Sequence, residues 1–167
     1  MSTGKITNVR GLVLIASDQL DRESAVFDGF DPNCDVVLMV EPRSKLTRVP
    51  SHKARIALHL SAMRHFRDEL VKDGINVIYR SLEDSNPPTS VASELRSQVA
   101  QIRPQYVLCI CPSSYQEREE LNQVAAESGF TLEFNRKPPS VFRQVPGCHV
   151  DRCVLSVPLP VIRCTEP

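Results

Sequence analysis

GLVLIASDQL, residues 11–20, decides how the chain is read. Residues 11–16 are apolar without interruption, and Ser17, Asp18 and Gln19 follow at once. A short apolar run that stops on polar residues reads as a strand buried on both faces, the kind found in a parallel sheet covered by helices. Working outward, the same texture recurs as VVLMV at 36–40, INVIY at 75–79 and YVLCIC at 106–111. FTLEF at 130–134 alternates instead and reads as a fifth strand, nearer an edge.

Helical segments separate the later strands. Between residues 52 and 73, Ile56, Leu60, Met63 and Leu70 recur at helical spacing with Phe66 beside them, and Arg55, Arg67 and Lys72 occupy other faces. Ser51 reads as the N-cap and Gly74 as the residue that ends this helix. Residues 90–102 and 116–128 predict two further helices, the second closed by Gly129. Strands alternating with helices predict an α/β fold: a Rossmann-like, doubly wound parallel sheet of about five strands in the order 3-2-1-4-5. It occupies residues 1–136. Residues 137–167 are rich in proline, with VPLPV at 157–161, and predict an irregular tail that adds little to stability.

Composition narrows the function classes. Lys plus Arg equals Asp plus Glu, 20 each, so no global field draws the chain to nucleic acid. The apolar runs are much shorter than the ~20 residues of a membrane span, and the first is too short for a signal peptide, so a cytoplasmic protein is expected. Cys34, Cys109 and Cys111 read as small buried hydrophobes. Cys148, Cys153 and Cys164 lie in the tail with His149, at spacings that match no paired zinc-ligand motif. His52 and His59 share a helix face with His65 nearby, which is a weak metal signal. Residues 43–55 are basic and read as a solvated loop or a phosphate contact.

In an open parallel sheet, ligands sit beyond the carboxyl ends of the strands where strand order reverses. Three segments fall there: Ser17-Asp18-Gln19, Glu41 after the second strand, and Pro112-Ser113-Ser114-Tyr115 after the fourth. Asp18, Gln19, Glu41, Ser113 and Ser114 are the candidate binding residues, and Asp18, Glu41 and Ser113 are expected to line one crevice. Carboxylates, an amide and hydroxyls around a crevice suit a polar heterocycle or polyol. The same residues also read as turn caps and a solvated acid. No GxGxxG, GxxxxGK[ST] or GxSxG is present, and the six glycines are too few for a glycine-rich phosphate cradle.

Over about the first 135 residues the chain resembles the N-terminal domain of the deoxyribodipyrimidine photolyase-related proteins, the bacterial iron-sulfur cryptochromes and photolyases. LVLIASDQL is similar to that family's opening strand and DQL turn. DVVLMVE, SHKARIALHLSAMRHFRDEL and GINVIYRSLED match its next segments in order. Two positions depart: Ser17 stands where the family has glycine before the DQL, and Ser51-His52 where it has a histidine pair.

The resemblance implies a two-domain flavoprotein. Its N-terminal domain carries an antenna chromophore, a ribolumazine, with Asp18, Gln19 and Glu41 as contacts. A helical C-terminal domain holds FAD and a four-cysteine iron-sulfur cluster and repairs ultraviolet lesions in DNA, or signals light. The FAD and cluster positions have no counterparts in this sequence, and none of the six cysteines is assigned to the cluster. DNA contact is expected only through that missing domain, and membrane contact is not expected. The codons of residues 138–150, read one base later, permit the Leu-Cys-Ser that family members carry here, so the expectation is a frameshifted, truncated antenna domain without repair activity of its own. The alternative expectation is a free-standing small-molecule carrier or a module that docks on a separate helical domain.

Overall fold

The computed structural model describes residues 9–44 and 52–135. The tail beyond 136, the boundary placed there, Ser51 and the cysteines of the tail lie outside the described residues. The elements run β1 (Gly11–Ile15), a single 3-10 turn (Ala25–Phe27), β2 (Asp35–Val40), α1 (Lys53–Lys72), β3 (Val77–Arg80), α2 (Val91–Ile102), β4 (Tyr106–Ile110), α3 (Tyr115–Ser128) and β5 (Thr131–Asn135). The five strands form one sheet in the order β3-β2-β1-β4-β5. Every neighbouring pair is parallel. The α/β class and strand order expected from sequence are therefore those observed.

Side-chain alternation sorts the core into two layers. Leu12 and Leu14 of β1, Val36, Leu38 and Val40 of β2, and Val107 and Cys109 of β4 pack against Leu95 and Val99 of α2 and Leu121 and Val124 of α3. Val13, Ile15, Val37 and Met39 point the other way, against Met63, Phe66 and Leu70 of α1. Burial on both faces holds only for β1 and β2. β4 is fully buried on its α2–α3 side alone, since its opposite face, Leu108 and Ile110, meets Leu20, Phe27 and Phe30 rather than a long helix. The edge character of β5 is confirmed by exposed Thr131 and Glu133 alternating with half-buried Leu132 and Phe134.

Helix ends follow local chemistry, with one correction. His52 is the residue that caps α1, its Nδ1 accepting the amide of Ala54 at 3.2 Å. α2 begins on a reciprocal Ser90–Ser93 capping box, and α3 on Ser114. Gly74 and Gly129 have φ of +79° and +68°, so both turns need the left-handed backbone that glycine adopts freely. The apolar stripe of α1 is shorter than its spacing suggested: Met63, Phe66 and Leu70 are buried, Ile56 and Leu60 only half so.

Leu38 has no exposure and sits in the middle strand of the β3-β2-β1 half, whereas Leu58 is 70% exposed. Leu38→Ala should cost about 3 kcal/mol in a urea unfolding titration, and Leu58→Ala less than about 0.5 kcal/mol.

Candidate functional site

Strand order reverses between β1 and β4, so the chain leaves these neighbours in opposite directions and a cleft opens between the departing loops. Its volume is about 440 Å³. Leu14, Ala16, Cys109 and Leu121 give it apolar walls. Polar groups come from four places: Gln19 after β1, Ser44 after β2, Ser90 at the start of α2, and Gln116, Glu117 and Glu120 on the first turns of α3. Size and lining are those of a small-molecule site, a mostly apolar concavity with a few placed polar groups.

The structure separates the five candidate residues. Gln19 lines the cleft, and its Nε2 donates to the carbonyl of Ile110 at 3.4 Å, tying the tip of β1 to the end of β4. An amide offers two donors and an acceptor with two lone pairs, so this bond leaves capacity for a ligand. Asp18 and Ser113 meet just outside, Ser113 Oγ donating to Asp18 Oδ2 at 3.4 Å on the exposed rim. Ser114 is a cap, its Oγ accepting the amide of Glu117 at 3.5 Å. Ser17 does not have a positive φ, which among the described non-glycine residues belongs only to Arg103. The turn therefore forms without the backbone freedom of the glycine it replaces.

Glu41 requires correction. It shares neither the cleft nor the rim with Asp18 and Ser113, and it is not solvated: it is 0% exposed. By strand alternation residue 41 falls on the face of Val37 and Met39, toward α1. There Arg64 donates from Nε at 2.8 Å and from Nη2 at 3.2 Å. The Tyr79 hydroxyl, the Ser81 hydroxyl (3.3 Å) and the Leu82 amide (3.0 Å) donate as well. Burial by itself pushes this carboxyl up, but the bonds from Arg64, Tyr79 and Leu82 outweigh it and hold the pKa at about 2. The same contact raises the Tyr79 hydroxyl, burial being the larger cause. Glu41 thus clamps the ends of β2 and β3 to α1. Its effect on the cleft is indirect: the chain runs from Glu41 to residues 43 and 44, whose amides donate to the carbonyls of Pro88 (3.1 Å) and Thr89 (3.0 Å), placing Ser44 and Ser90 on the rim.

Ser44, Ser90, Gln116, Glu117 and Glu120 were not singled out from sequence. Their signal was positional, since each lies at a helix start or strand end on the side where strand order reverses. Cys109 is buried as expected, and burial together with neighbouring Cys111 pushes its thiol up to about 12. It is a wall of the cleft, protonated at neutral pH, and not a nucleophile. His59 and His65 are exposed. Among the described residues, no three His, Cys, Asp or Glu side chains are grouped to hold a metal ion. No described helix is long and apolar enough to cross a membrane.

Residues 13–142 match the model of the deoxyribodipyrimidine photo-lyase-related protein family. The chain belongs to that family. It is also 31% identical over 122 residues to a (6-4) photolyase of Agrobacterium fabrum (strain C58 / ATCC 33970), a match covering 73% of this chain and 24% of the relative. The chain thus spans about a quarter of the length of that relative. Among solved structures, the 4-carboxy-2-hydroxymuconate hydratase GalB of Pseudomonas putida KT2440 aligns over 78% of this chain and 63% of its own, with a TM-score of 0.42 and 13% identity. A likeness of that extent carries no functional argument.

The Glu41 clamp makes stability depend on pH. Glu41 ionises at about 2 when folded and near 4.5 when unfolded, so the ionised form is favoured in the folded state. Its contribution is complete above pH 4.5 and is lost as pH falls toward 2. Glu41→Gln should therefore lose about 3 kcal/mol at neutral pH, and the gap to the parent should shrink as pH drops into that window. Urea midpoints of both proteins at pH 7 and pH 3 check this, and a gap independent of pH would contradict it.

Proposed function

We propose that this chain is an antenna module: its cleft holds a ribolumazine-type chromophore, as the light-harvesting part of a photolyase-related protein. The observation that carries this is the cleft at the β1–β4 reversal, with the DQL turn contributing Gln19 to its lining and Asp18 to its rim. Family membership supports the wider setting of light-driven DNA repair or photoreception. FAD, the iron-sulfur cluster and DNA contact belong in this proposal to the family's helical domain.

The residues present suit such a group. A lumazine ring is flat and carries an edge of alternating hydrogen-bond donors and acceptors. Apolar walls from Leu14, Ala16, Cys109 and Leu121 accept its faces. The Gln19 amide both donates and accepts along its edge, and the Ser44 and Ser90 hydroxyls suit a ribityl chain. Asp18 holds Ser113 and keeps the two loops at a fixed separation. Glu41 is a positioning residue in this scheme, acting through the 43–44 and 88–90 segments. The bound ring supplies light absorption and passes its excitation to a flavin; the protein's part is to bind, orient and keep out water.

Fluorescence titration with 6,7-dimethyl-8-ribityllumazine tests the proposal. The chain should bind it saturably, with Gln19→Ala weakening affinity about tenfold and Asp18→Ala somewhat less, as expected for one lost hydrogen bond and a loosened rim. Absence of binding, or binding that both variants leave unchanged, would refute it.

A further inference from the structure

We infer that Arg80 is a positioning residue for the cleft: its guanidinium fixes the 84–90 segment and the first turn of α2, and so sets where Ser90, Val91 and Ala92 stand against a ligand. This rests on the antenna reading for the ligand, and goes beyond it by naming a residue outside the lining on which affinity depends.

The 84–90 segment has little with which to hold itself. Pro87 and Pro88 are adjacent and have no N–H to donate, so the segment is placed by what its carbonyls and side chains accept. On the β2 side, the carbonyls of Pro88 and Thr89 accept the amides of Arg43 and Ser44 at 3.1 and 3.0 Å. On the β3 side the donor is Arg80, the last residue of that strand. Its one planar guanidinium reaches three places. Nε donates to Asp84 Oδ2 at 3.0 Å, and Nη2 donates to the carbonyl of Asn86 at 3.0 Å. Nη1 lies 3.1 Å from Glu94 Oε1 in α2.

Each side-chain partner is itself held. Asp84 Oδ2 also accepts the Ser81 amide at 3.2 Å, and Glu94 Oε1 also accepts from Gln98 Nε2 at 2.8 Å. Glu94 and Gln98 are 8% and 6% exposed, so the α2 end of the fork lies where water competes little. The base of the fork is fixed as well. The Arg80 carbonyl accepts the Glu41 amide at 2.9 Å, which ties it to the buried clamp.

The path from this fork to the cleft is short. Glu94 is one helical turn from Ser90, whose carbonyl accepts the Glu94 amide at 3.2 Å. Ser90, Val91 and Ala92 line the cleft together with Ser44. Gln19 and the first turns of α3 reach the cleft from β1 and β4, so they stand apart from the fork. A lysine at position 80 would keep the charge but lose the planar fork, and could not serve three acceptors in these directions.

The test compares the parent chain with Arg80→Lys and Asp84→Asn in three measurements: fluorescence titration with 6,7-dimethyl-8-ribityllumazine, amide chemical shifts of the ligand-free chain, and urea midpoints. Arg96→Lys is the control, since Arg96 pairs with Glu127 near the far end of α3. Arg80→Lys should bind about fivefold more weakly and Asp84→Asn about twofold, as expected when two arms or one arm of the fork are lost, and Arg96→Lys should bind as the parent does. Without ligand, the amides of Asn86 and of Thr89 to Ala92 should shift in Arg80→Lys, and those of Gln19 and Gln116 should not. A merely structural role would lower the urea midpoint and leave the affinity of the folded protein unchanged. That result would overturn the inference, as would unmoved amides at 89–92 in Arg80→Lys or an equal loss of affinity in the control. If the parent binds no lumazine, the antenna reading falls and the ligand-free amides alone decide the role of Arg80: shifts at 89–92 uphold it, and their absence overturns it.

Discussion

Glu41 is a carboxylate without access to water, and the upper half of the sheet is arranged around what that demands. An ionised carboxyl in such a place costs several kcal/mol unless donors surround it. Here the donors come from three elements: Arg64 from α1, the Tyr79 hydroxyl from β3, and the Ser81 hydroxyl and Leu82 amide from the loop beyond β3. None of these can move far without leaving a charge unpaired. The loop after β3 is therefore fixed, and so is the strand end from which the chain continues to Ser44. Arg67, lying 4.7 Å over the Tyr79 ring, braces the same corner. The far end of β2 repeats the device: Asp35, also buried, accepts from Arg10 and from the Asp31 amide at 2.9 Å. A strand made of apolar residues gains its fixed position from the two acids that bracket it.

The cleft follows from constraints that lie elsewhere in the chain. β1 is buried on both faces, so its backbone polar groups are satisfied in the ladders with β2 and β4 and its side chains in the core. Within that strand Leu14 lines the cleft as an apolar wall, and the hydrogen-bonding residues lie on the tip beyond it. The reversal of strand order then opens space above that tip, and α2 and α3 close its sides with their first turns. Polar groups at the rim are the natural outcome, because helix starts require serine caps and favour acidic first turns. Such a site is a rigid concavity for a small molecule, built on elements that do not need to move.

Much of this was legible in the sequence for physical reasons. The apolar runs at 11–16, 36–40 and 106–111 read as strands of a covered sheet, and the helices between the later strands pointed to parallel crossovers. The strand order expected from sequence is the one observed, and a cleft opens at its β1–β4 reversal. Glu41 was not legible as it stands. An acid directly after an apolar strand reads as a ligand contact or a solvated residue, because its partners lie 23 to 41 positions away in sequence. The available signal was parity: residue 41 shares a face with Val37 and Met39, and Arg64 and Arg67 flank the apolar stripe of α1 that covers that face. Ser44, Glu117 and Glu120 were missed because single polar residues at helix starts are too common to stand out. Their meaning comes only from the cleft that brings them together.

Amide chemical-shift mapping of the isotopically labelled chain during addition of 6,7-dimethyl-8-ribityllumazine tests the central claim most directly. A site at the strand-order reversal predicts that the perturbed amides cluster on Gln19, Ser90 to Ala92, Ile110 and Gln116 to Leu121, with Arg64, Tyr79 and the α1 face unaffected. Perturbations centred on the α1 face around Arg64 and Tyr79, or none in the cleft at saturating ligand, would contradict it.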